Sequence, residues 1–151
     1  MAYRYHQYGG KKEKKHTLIF DWDKGQISND YLNKPFPLKA GTQDLLSFQI
    51  QLMHDLQMNK KSISYIIADK KRVESYSLQY IKESTIETPF KTLDTLELIS
   101  NKIRNKTQFK IWSAPELNYL PVQIVKTDDS GDTTKLSLKA ISFGTPKPSQ
   151  K

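Results

Sequence analysis

Gly41-Thr-Gln-Asp-Leu-Leu-Ser-Phe-Gln-Ile-Gln-Leu-Met-His-Asp-Leu-Gln-Met58 is where the apolar residues of this chain take up helical spacing. Leu45, Phe48, Leu52, Met53 and Leu56 form the stripe, and Leu46 and Ile50 widen it. Steps of three and four residues set such positions on one side of a helix. Thr42 is read as the cap and Asp44 as a first-turn acid, where the helix dipole favours negative charge. The predicted helix covers about residues 42–58. Gln49 projects near the middle of the stripe, with a satisfied core glutamine as the expectation, and His54 lies on the polar side. A helix of this length draws most of its stability from packing, so it must lie on another layer.

The rest of the chain supplies that layer, because the period elsewhere is two. Ser62–Ala68 reads as a strand, Lys70-Lys-Arg72 as a turn and Val73–Ile81 as the partner, with Tyr76, Leu78 and Tyr80 on one face. Thr85–Thr88 runs into Pro89. Thr92–Ile103 is read as a strand, with helix as the alternative, and Gln108–Trp112 follows. Ala114–Asn118 looks like a short helical turn ahead of the strand Leu120–Val125. Asp128–Asp132 is a polar hairpin loop, Lys135–Phe143 the last strand and residues 145–151 a disordered tail.

Toward the front, Leu18, Phe20 and Trp22 alternate with Thr17, Ile19, Asp21 and Asp23. Asp23-Lys24-Gly25 supplies a hairpin turn into Gln26–Ser28. Pro35 and Pro37 make Asn33–Leu38 an extended connector. Tyr3, Tyr5 and Tyr8 lead through Gly9-Gly10 into this region, so a sheet is already under way where the sequence opens. One helix crossing many antiparallel strands predicts an α+β domain over residues 1–144. The expected architecture is mainly antiparallel β, a curled sheet or half-barrel packed on the helix.

Lys and Arg number 24 against 16 Asp and Glu, a net charge of +8. That raises an anionic partner. The densest clusters, Lys11–Lys15 and Lys70–Arg72, fall at expected hairpin tips, where lysines usually oppose edge aggregation. Nucleic acid is therefore disfavoured, and an anionic membrane surface is the stronger of the two charge-driven readings. The absence of cysteine excludes disulfides, thiol catalysis and Cys-ligated zinc. No run approaches the ~18 apolar residues of a spanning helix.

Catalytic signatures are hard to find. His6 and His16 invite a pairing across the first hairpin but lack an evident third metal ligand. Asp21 and Asp23 share a strand face and invite a carboxylate pair, with a solvated turn as the plainer expectation. Asp128, Asp129, Gly131 and Asp132 faintly resemble a calcium loop without its twelfth-position acid. There is no Gly-x-Ser-x-Gly elbow or phosphate-cradling glycine loop. The expectation is a non-enzyme without cofactor or metal.

Aromatic residues, 11% of the chain, are the feature to weigh. They suit either a core beneath the helix or an apolar pocket on a concave sheet. On the second reading Phe20, Trp22, Gln49, Tyr76, Tyr80 and Trp112 would line a site for a lipid or other apolar ligand. Self-association through an open sheet edge is the structural alternative.

Four phrases carry a family resemblance: Thr17-Leu-Ile-Phe-Asp-Trp-Asp23, Pro37-Leu-Lys-Ala-Gly-Thr-Gln-Asp-Leu-Leu-Ser47, Glu87-Thr-Pro-Phe-Lys-Thr-Leu-Asp94 and Ile111-Trp-Ser-Ala-Pro-Glu-Leu-Asn-Tyr-Leu-Pro-Val-Gln-Ile124. In this order and spacing, over about residues 17–141, the chain resembles the C-terminal portion of a bacterial exported family of unknown function, DUF3108. The resemblance implies a periplasmic antiparallel β protein, similar in outline to the half-barrels of lipoprotein carriers, and brings no catalytic residues with it. It also sets the expectation that family strands belong upstream of the Tyr3–Tyr8 segment, whose outer edge is then unpaired or covered by another copy.

Overall fold

A computed structural model of the chain describes residues 2–7, 14–30, 33–68, 73–101, 107–128, 130–142 and 144. The strands divide between two sheets. In the first, β1 (Ala2–Gln7), β2 (Lys14–Asp21), β3 (Gln26–Asn29) and β4 (Phe36–Pro37) pair antiparallel in chain order. Among the described residues β1 pairs with β2 alone and forms one edge. Pro37, which has no N–H to give a ladder, sits in the opposite edge strand. The β2–β3 turn closes through Gly25 at φ +62° and through Asp21, whose Oδ1 accepts the Lys24 N–H at 3.0 Å. Trp22 belongs to this turn rather than to the strand face that alternation assigns it with Leu18 and Phe20. It is half exposed while its ring stacks on Phe20 at 6.4 Å.

The second sheet contains β5 (Thr42–Gln43), β6 (Ser62–Ala68), β7 (Val73–Glu87), β8 (Thr92–Ser100), β9 (Gln108–Ala114), β10 (Leu120–Thr127) and β11 (Thr133–Ser137). Its order is β11-β10-β9-β8-β7-β6-β5, antiparallel except for the β5–β6 pair. It curls into a half-barrel around α1 (Ser47–Gln57).

β7 continues well past Ile81, the end of the predicted strand. The register steps from Tyr80↔Leu98 to Lys82↔Glu97, so Ile81 is an extra, exposed residue in a bulge. A bulge resets the alternation, and an uninterrupted 15-residue strand therefore reads as two segments. β11 is shorter than expected. Leu138 leaves the strand, donating its N–H to the Val122 carbonyl at 2.8 Å and accepting from Phe90 N–H at 3.2 Å. The Lys70–Arg72 turn and the 145–151 tail lie outside the described residues.

The helix begins later than expected, and its opening is organised by Asp44 rather than Thr42. Asp44 Oδ1 accepts the N–H groups of Leu46 and Ser47, both at 2.8 Å, and Oδ2 accepts the Ser47 hydroxyl at 2.9 Å. Thr42 instead pairs with Ile66 in the sheet and donates its hydroxyl to the Lys39 carbonyl. Phe48, Leu52 and Leu56 point into the half-barrel against Ile63, Tyr65, Ile67, Leu78, Leu98 and Ile111. Removing each such side chain from water contributes about 1.5–3 kcal/mol. This is what holds the short helix in place.

Two smaller clusters complete the core. Leu18, Phe20 and Ile27 pack with Ala68 and Val73, fastening the first sheet to the β6–β7 end of the second. Leu93, Ala114 and Val122 gather with Trp112, Phe90 and Leu138. Strand alternation puts Leu93 and Trp112 on the sheet face opposite Leu98 and Ile111.

Candidate functional site at the helix and the β10–β11 edge

The solvent-facing crest of α1 follows from the same periodicity that buries its other side. With Phe48, Leu52, Asp55 and Leu56 turned inward, the residues left outside are Leu46, Ile50, His54 and Gln57. Leu46 is 59% exposed and Ile50 61%, which corrects their expected place in the buried stripe. In a chain that is 26% charged, residues 45–57 carry one formal charge, Asp55, and it is buried. An uncharged crest with two large aliphatic side chains departs from an ordinary solvated helix face.

Beside the crest lies a groove of about 210 Å³, between Gln49, the β10 segment Pro121–Ile124 and the end of β11 at Leu136–Leu138. Its position follows from an irregularity: the register slips between Pro121 and Gln123, just where β11 ends. Ile124 and Leu136 are direct cross-strand partners and share the face that α1 occupies. Leu136 is 64% exposed. Gln49 is half-buried, and its Nε2 donates to the Leu45 carbonyl at 2.7 Å. That agrees with a satisfied glutamine on the groove wall.

The residues proposed from sequence do not converge on this place. Phe20 is core of the first sheet, with Trp22 on its turn. Tyr76 packs against the main core and meets Phe109 edge-on at 5.1 Å. Tyr80 carries the Lys61 ammonium at 5.2 Å from its ring centre, and Trp112 lies on the far sheet face. Only Gln49 lines the groove. Leu136, Ile124 and Leu138 gave no sequence signal beyond ordinary strand alternation.

The main electrostatic feature sits beneath the helix. Asp55, 3% exposed, accepts hydrogen bonds from Tyr65 Oη at 2.7 Å, Lys60 Nζ at 3.0 Å and Gln51 Nε2 at 3.1 Å. Burial works against its charge, but the bonds from Tyr65, Lys60 and Gln51 and the Lys60 charge outweigh burial, so its pKa lies below the ordinary carboxylate value. Burial first, and then the adjacent carboxylate, push the Tyr65 phenol above its ordinary value. Every close partner of this carboxylate is intramolecular, which suits a fastening between helix and sheet.

Asp21 and Asp128 are likewise engaged locally. Asp21 ties its turn. Asp128 Oδ1 accepts from Ser130 N–H, Ser130 Oγ and Asp132 N–H, forming a closed loop with Gly131 at φ +87°. The Ser130 hydroxyl foremost holds the Asp128 carboxyl below its usual value. Register sets His16 opposite Tyr5 and His6 opposite Lys15, so the two histidines are not cross-strand partners. Among the described residues no three His, Asp or Glu side chains gather as a metal site. Nor is any described helix long and apolar enough to cross a membrane, a statement that says nothing of strands.

These features define a half-barrel with its concave side filled by a helix, and with an apolar crest and groove at one sheet edge. The chain belongs to the family described as Protein of unknown function (DUF3108), whose model matches residues 1–139. No curated protein and no solved structure matches it.

Proposed function

We propose that this protein is a non-enzymatic, envelope-associated binding module of the periplasm that holds an apolar or amphipathic ligand on the α1 and β10–β11 face. The observation that carries the reading is the exposure of Leu46, Ile50 and Leu136 around a groove with Gln49 on its wall. Apolar side chains with a few polar groups are the usual composition of a ligand site. The periplasmic placement rests on the family resemblance, and fractionation of cells expressing the gene tests it directly. For the ligand, the protein is equilibrated with total lipid extract and examined by native mass spectrometry. The expected result is a lipid adduct that Leu136→Gln and Ile50→Gln weaken; bare protein across neutral, zwitterionic and anionic lipids sinks the reading.

A second reading has its own observation. β1 and β11 are edge strands, and edges recruit partners by strand addition. Light scattering that finds a strict monomer, together with a pulldown that captures nothing, counts against it.

A further inference from the structure

We draw no further inference here: the strongest candidate, the exposed apolar crest of α1 at Leu46 and Ile50 with the shallow groove beside Leu136, belongs to the site already described, and nothing in the structure shows what covers it.

Discussion

Tyr65 donates its phenol proton to Asp55 Oδ2 across 2.7 Å, joining the last turn of the helix to the floor of the half-barrel. Both residues are buried, so the bond is shielded from water, and a carboxylate that loses this donor keeps only Lys60 and Gln51, both on its other oxygen. Tyr65→Phe keeps the ring packed against Phe48 and removes only the hydroxyl. Urea unfolding should report a loss of about 1–3 kcal/mol. A change within error would mean that Lys60 and Gln51 suffice.

The same pair gives stability a definite dependence on pH. The folded pKa of Asp55 is lowered, so its contribution is present above the unfolded value near 3.8 and is lost as pH falls through the lower folded value. Tyr65 is shifted the other way. Above pH 10 the unfolded chain releases the phenol proton while the folded chain keeps it, and stability falls. Chemical denaturation from pH 2 to 11 should show a shallower alkaline decline in Tyr65→Phe than in the native chain.

Asp44 carries the helix start, and its acceptor oxygens matter more than its charge. Asp44→Ala is expected to cost about 1 kcal/mol, while Asp44→Asn, which keeps one acceptor, costs less. Thermal unfolding followed by circular dichroism distinguishes the two. Equal losses would assign the effect to charge or to packing.

Leu52 and Ile50, two positions apart on the helix, should behave oppositely. Leu52 is fully buried and Ile50 mostly exposed. Leu52→Ala should cost about 2–5 kcal/mol through the cavity it leaves. Ile50→Ala should stay within about 0.5 kcal/mol, as surface changes do. A large loss for Ile50→Ala would mean that its crest is covered in the protein's native state.

The Asp128 loop offers a direct titration. Its carboxyl should titrate by NMR below the ordinary carboxylate value and move back toward it in Ser130→Ala, because that hydroxyl is the foremost cause of the shift. An unchanged midpoint in the variant would pass the cause to the backbone amides of Ser130 and Asp132.

Local patterning determined much of the architecture. Ser62–Tyr65 alternates polar and apolar residues, and Ser62–Ala68 is a strand with the limits read from the sequence. Pro115 after Ala114 announces the 3-10 turn Pro115–Leu117, and Gly25 closes a tight hairpin. Each is decided by the residue's own backbone preferences or by a period the eye can follow. Tertiary structure decided the rest. Asp44 displaced Thr42 as the opening acceptor because β5 claimed Thr42 for the sheet. The bulge at Ile81 reversed the faces of β7 midway, and no local pattern announces such a slip.

The candidate site was the least legible part, for the same reason. Helical spacing alone put Leu46 and Ile50 with the core, since periodicity says which residues share a face but not how wide a face the sheet can cover. The half-barrel covers a strip from Phe48 to Leu56, leaving Leu46 and Ile50 in solvent. Likewise, aromatic content suggested a pocket, but the strand registers distribute those rings over two sheets and both faces of one of them. The sequence by itself determined that a single helix would lie on a curled antiparallel sheet, because period and turn chemistry are local. Only the tertiary structure decided that Gln49 and Leu136, 87 positions apart, would border one groove, because the closeness of two distant segments depends on the register and curl of the strands between them.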